Sequence, residues 1–183
     1  MRLLATIACL LLLAGCSPAT PVSRDEACAS ASPTPTSSRR ELSEAEAAQN
    51  KAGLSALATA ATAAPGLTIS LVRSLDQRWL VTRLSGGVTQ RVQLDRDGTT
   101  VLETTRGGVD GASARVAEQL RVQIDAAIAT AQTAVTGALL SAEAHSRDGS
   151  AVWEVTIDNG SCRCSGNPEV VVLVDATNGQ RIH

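Results

Sequence analysis

Trp153-Glu154-Val155-Thr156-Ile157 alternates apolar and polar side chains with the period of a strand, and its Trp stands in the apolar phase. An indole so placed is expected in a core rather than on a binding surface. An earlier stretch, Trp79-Leu80-Val81-Thr82, has the same form and matching surroundings. Pro65-Gly66-Leu67 precedes one and Thr136-Gly137-Ala138 the other, while Val92-Gln93-Leu94-Asp95 follows one and Leu173-Val174-Asp175 the other. Each Asp leads into a Gly-containing turn. The order helix, Gly, strand, Trp strand, strand, Asp turn thus occurs twice. An interval of about 70–75 residues is too long for a solenoid repeat and suits a duplicated small unit.

The flanking segments complete each unit. Ser43-Glu44-Ala45-Glu46 has the form of a capping box, so a helix is expected to start there and stop at Pro65-Gly66. Leu54, Leu57, Ala58 and Ala61 supply its apolar stripe. Strands are expected at 67–73, 78–84 and 88–94, joined by Ser74-Leu75-Asp76-Gln77 and Ser85-Gly86-Gly87, with a further strand at 99–105. Arg106-Gly107-Gly108 is expected to break the chain. A second helix is expected over 113–132 with the stripe Val116, Leu120, Ile124, Ile128 and Ala131. Strands should follow at 139–145, 151–157 and 169–175. The expected fold is therefore α+β: two αβββ units in tandem, over 42–106 and 110–183, each a helix packed on a small antiparallel sheet. One such unit alone would bury too little to be more than marginal.

The amino terminus has another character. Arg2 precedes an apolar segment from Leu3 to Leu13, of signal-peptide length and short of the roughly 20 residues that span a bilayer. Leu13-Ala14-Gly15-Cys16 closes it and resembles the lipobox at which bacterial lipoproteins are cut and acylated. On that resemblance 1–15 is a signal peptide, Cys16 the lipidation site, and the protein a lipoprotein held by its acyl chains, palmitate among them, on the extracytoplasmic face of the cell membrane. Residues 16–41 hold four of the six prolines among Ser, Thr and Ala. So little can be buried there that a disordered linker is expected.

Composition removes several functions. The chain has 183 residues, formal charge −2, two Trp and no Phe or Tyr. That balance argues against an electrostatic nucleic-acid binder, and base-stacking platforms are almost excluded. No cofactor is implied.

Three pieces of the second half resemble the PepSY family, a small module of protease propeptides and bacterial envelope proteins. They are Ile124-Asp125-Ala126-Ala127-Ile128-Ala129-Thr130-Ala131, similar to its helix; Val152-Trp153-Glu154-Val155-Thr156-Ile157, similar to its central strand; and residues 169–175 with Ala176-Thr177-Asn178-Gly179-Gln180, similar to its closing strand and turn. The first half departs further and is taken as a degenerate copy. The resemblance implies a non-catalytic binding or regulatory module. An envelope protease or another envelope protein is the expected partner.

Cys162-Arg163-Cys164 is the sharpest polar feature. After Cys9 leaves with the signal and Cys16 takes lipid, Cys28, Cys162 and Cys164 remain, an odd number in an oxidising compartment. A disulfide from Cys28 to Cys162 or Cys164 is the leading expectation. A strained Cys162–Cys164 bridge would suit redox work. Metal binding with His145 or His183 lacks a second ligand pair. A redox or metal-handling lipoprotein is thus the alternative function. Asp95-Arg96-Asp97-Gly98 is too short for a calcium loop and is expected to be a turn, as is Arg147-Asp148-Gly149. No nucleophile, acid or base stands at a recognisable catalytic spacing, so no catalytic or metal residue is assigned.

Overall fold

The computed structural model describes residues 40–160 and 169–183. These form α1 (Glu44–Ala63), β1 (Leu67–Arg73), β2 (Trp79–Ser85), β3 (Val88–Leu94), β4 (Val101–Gly108), α2 (Gly111–Gln119), α3 (Ile124–Ala134), β5 (Ala138–Arg147), β6 (Ser150–Asp158), β7 (Glu169–Asp175) and β8 (Arg181–Ile182). The class is α+β. The expected bounds hold for β1, β3 and β7. Ser43 caps α1 with both hydrogen bonds of the capping box. Gly86-Gly87 and Asp148-Gly149 make the two-residue turns of β2–β3 and β5–β6 with positive φ.

The two small sheets expected from the sequence are one. Eight antiparallel strands run in the order β4-β3-β2-β1-β5-β6-β7-β8. The joint is β1 on β5, with Leu71 opposite Ala142. Each half ends its own sheet at its first strand, where unpaired N–H and C=O groups would face water; pairing the two edges satisfies both. A single row of directly opposed residues, Val92, Val81, Leu71, Ala142, Val155 and Val172, then crosses six strands and is buried throughout. Directly opposed residues share a face, so this row defines the helix-covered side. Side chains such as Leu71 contribute about 1.5–3 kcal/mol each through burial there. On the reverse side Leu80, Val72, Ser141 and Thr156 are half-exposed and Val171 is 52 % exposed.

Trp79 and Trp153 are fully buried, as expected of core anchors. Their indole N–H groups donate to Arg96 O at 3.1 Å and Val122 O at 3.0 Å. The positions before β1 and β5 also match. A Cβ on Gly66 would run into Leu84 O, and one on Gly137 into Asp158 O, so both crossings need glycine. Both following strands carry a register shift, between Thr68 and Ser70 and between Leu139 and Ser141.

Four other expectations need correction. The helix expected over 113–132 is two helices. At Leu120 the backbone turns extended, and Arg121 N and Val122 N both donate to Ala176 O at 2.9 Å, replacing intrahelical partners with tertiary ones. The stripe nevertheless holds: Val116, Leu120, Ile124, Ile128 and Ala131 are all buried. Arg106-Gly107-Gly108 does not break the chain but completes β4 through pairing with Val88–Gln90. The two-residue β8 pairs with Leu173 and Val174 and was not foreseen.

The fourth correction concerns the face of α1. Its buried side is Asn50, Gly53, Ala56, Leu57 and Ala60, while Leu54, Ala58 and Ala61 are exposed. The face turns toward Gly53 because the helix lies very close to the sheet there. A Cβ on Gly53 would meet Leu139 Cδ2 and Trp79 Cη2 at 3.1 Å. The Asp95–Thr100 turn closes from the side, with Thr59 Oγ1 donating to Gly98 O at 2.8 Å. Buried Asn50 ties α1 to the far half: its Nδ2 donates to Gly137 O at 3.0 Å, and Leu139 N donates to its Oδ1 at 2.7 Å.

Candidate functional site

Most of the expected apolar stripe, with Leu57 alone of its four residues in the core, has another place. Leu54, Leu57, Ala58 and Ala61 form one wall of an open cleft of about 860 Å³ between α1 and the start of α3. Gly66, Leu67, Thr68 and Arg83 form its floor, and Gln123, Ile124 and Asp125 its other wall. Leu54 is 43 % exposed in it.

Arg83 is the chemical centre of the cleft. Trp79, Val81 and Arg83 alternate inward along β2, so the strand's own pleat drives the guanidinium under the helices. It is 9 % exposed. Its Nη1 donates to Thr68 Oγ1 at 2.7 Å and its Nη2 to Gly66 O, while Nε has no acceptor among the described residues. Burial pulls its guanidinium below the ordinary arginine value, although Arg keeps its charge in proteins. Thr68 and Gln90 stand directly opposite it on β1 and β3 and are also buried, forming a polar row across the sheet. At the other wall, Gln123 is the N-cap of α3 and makes no side-chain capping bond. The first-turn N–H groups there place partial positive charge toward the cleft. Asp125 is the one carboxylate on the lining.

A smaller concavity of about 460 Å³ lies at the other end of α1, lined by Arg40, Asn50, Gln132 and Gly137 among others. Arg40 pairs with Glu46 at 2.6 Å and donates to Asn159 O at 2.9 Å. With the Ser43 N–H, this holds the Glu46 carboxyl down at about 2.

The residues singled out from the sequence are not gathered here. Cys16, Cys28, Cys162 and Cys164 lie outside the described residues, as do the signal segment and nearly all of the linker. His145 is exposed near the end of β5, and His183 is terminal. Among the described residues no three His, Cys, Asp or Glu side chains cluster as metal ligands. Asp95 accepts from Thr99 N at 2.8 Å and Thr100 N at 3.2 Å, the work of a turn carboxylate. Asp175 accepts from Thr177 N at 2.7 Å and Asn178 N at 3.2 Å in the same way. Arg83 was missed. Its only sequence signal is that a cation occupies the inward phase set by Trp79 and Val81.

The segment from the extended turn at Arg121 through α3, β5, β6 and β7 to the Asp175 turn is a helix on an antiparallel sheet, closed by a carboxylate-capped turn. Residues 121–180 match the family described as Peptidase propeptide and YPEB domain, PepSY. PepSY domains are propeptide-like modules, and no catalytic family accompanies the match. The PepSY segment supplies Gln123, Ile124 and Asp125 of the cleft; α1 and Arg83 lie outside it. No curated protein matches the chain. The chain is similar to a solved structure from Clostridium difficile 630, provisionally described as a lipoprotein, at 18 % identity and a TM-score of 0.41, over 64 % of this chain and 78 % of that one. No helix among the described residues is long and apolar enough to cross a membrane.

Proposed function

We propose that this chain is a lipid-anchored protein of the bacterial cell envelope whose folded part is a non-catalytic binding module. The partner is an extracytoplasmic protein, an envelope protease first among them, whose activity the module restrains near the cell surface. The observation that carries this is the PepSY match at 121–180, set in a sheet that leaves an open cleft beside it. Leu13-Ala14-Gly15-Cys16 supports the anchor: acylation of Cys16 would hold the domain at the membrane by its linker. We take the two halves as copies of one unit. The matched glycines Gly66 and Gly137, the matched register shifts and the two indole-to-carbonyl bonds favour duplication, with the first half diverged beyond the family pattern.

The test is made in the native host. A photo-crosslinking residue at position 54 or 58 is expected to trap a protein on the outer side of the membrane, and Cys16→Ser should release the chain from the membrane fraction and lose the crosslink. A chain that stays membrane-bound and unacylated, or an adduct that forms only with cytoplasmic proteins, would overturn the proposal.

A further inference from the structure

We infer that the cleft between α1 and α3 binds an extended peptide segment bearing a carboxylate beside aliphatic side chains, with Arg83 receiving the carboxylate. This deepens the binding role proposed above and names the chemistry of the segment bound.

Three independent features converge on the cleft. The first is a buried cation without an anion. Arg83 is only 9 % exposed and no carboxylate among the described residues pairs with it; its Nε–H has no acceptor but is itself covered, so a carboxylate would reach the guanidinium through its Nη groups. Burying a charge on neutral partners alone is costly, and an incoming carboxylate would supply the missing counter-charge. A guanidinium also offers planar, paired donors suited to that group. The second is the start of α3, where Gln123 leaves the first-turn N–H groups without a side-chain cap. With Asp125 already answering the positive end of the helix, these suit a neutral acceptor such as a peptide C=O at the same opening. The third is the stripe Leu54, Ala58 and Ala61, exposed on α1 although apolar and regularly spaced.

The dimensions and the polar lining select a peptide over an acyl chain. From Leu54 to Ala61 the helix rises about 10 Å, which matches about three residues of extended chain. Thr68, Gln123 and Asp125 also line the cleft. An acyl tail would cover these groups without bonding to them. Peptide N–H and C=O groups would pair with them, and Asp125 would accept a backbone N–H. Asp125 also disfavours a second carboxylate at its own end, which sets the direction of the segment, acid toward Arg83.

The test titrates the purified full chain, isotopically labelled on arginine and methyl groups, with two synthetic pools of acetylated hexapeptide amides. Five positions are randomised among Ala, Val, Leu and Thr; one is fixed as Glu in the first pool and Gln in the second. The Glu pool is expected to shift the Arg83 Nε–H and the Leu54 and Ala58 methyl signals, and to bind about tenfold more tightly than the Gln pool, or better. Arg83→Gln should bring the pools level. Because that change also removes the bonds to Thr68 and Gly66, Leu54→Glu serves as a second variant at an exposed position and should abolish the preference by repulsion. Equal binding of the two pools overturns the inference. So does a Glu preference that survives both variants, or tighter binding of dodecanoate than of the Glu pool. A preserved Glu preference with no envelope partner trapped in cells would instead sink the envelope role and leave the cleft chemistry standing.

Discussion

Replacing Trp153 by Phe tests whether the two halves unfold as one body. The indole is fully buried and its N–H is bonded to Val122 O at 3.0 Å, in the extended turn that separates α2 from α3. Phe leaves that carbonyl without its donor, a loss of about 1–3 kcal/mol. The smaller ring leaves unfilled volume that adds about 1 kcal/mol. A total near 2–4 kcal/mol corresponds to a fall of roughly 1–2 M in the urea midpoint for a slope of about 2 kcal/mol/M. The assay is equilibrium urea unfolding followed by fluorescence and far-ultraviolet circular dichroism. Trp79 becomes the only fluorophore in this variant and reports from the other half. Because the β1–β5 joint and the row from Val92 to Val172 make one core, Trp79 fluorescence and the dichroism should move together to the lower midpoint. Trp79→Phe, which loses the bond to Arg96 O, should shift both signals by a similar amount. A Trp153→Phe variant in which Trp79 keeps its original midpoint while the dichroism splits into two steps would refute the single-body reasoning. So would a shift below about 0.5 kcal/mol, within the range of surface changes.

Two further outcomes follow. Gly98 has φ +70° and a Cβ there would strike Ala52 O and Ala56 of α1, so Gly98→Ala should cost about 2 kcal/mol or more, whereas Gly86→Ala, with φ +57° and open space, should cost about 1 kcal/mol; equal thermal shifts would contradict this packing. Glu46, held at about 2 against an ordinary 4.5, confers stability that is complete above about pH 4.5 and is lost as pH falls toward 2, so Glu46→Gln should flatten the decline between those values in pH-dependent urea unfolding, and an unchanged slope would refute the Arg40 pairing.

Local rules were visible in the chain wherever one segment satisfies itself. The capping box at Ser43, the turns at Gly86-Gly87 and Asp148-Gly149, and the inward Trp79 and Trp153 follow from hydrogen bonds and alternation within a few residues. The site was less legible. Leu54, Leu57, Ala58 and Ala61 were visible as a stripe, but periodicity does not say whether a stripe meets a sheet or solvent. The inner face falls instead around Gly53, where Trp79 and Leu139 leave no room for a larger residue. Arg83 was hidden because a cation inside a strand gives no periodic signal of its own.

The amino-acid sequence by itself determined the α+β class and the inward phase of the two Trp strands, since these depend on side-chain spacing along one segment. Tertiary structure alone decided that the halves share one sheet, that the second helix is interrupted, and that an arginine with no carboxylate partner among the described residues lies beneath an apolar wall. The joint is made of backbone groups common to all residues, and the interruption is held by the Ala176 carbonyl and the Trp153 indole, more than thirty residues further along the chain. Contacts of that range leave no mark on local periodicity.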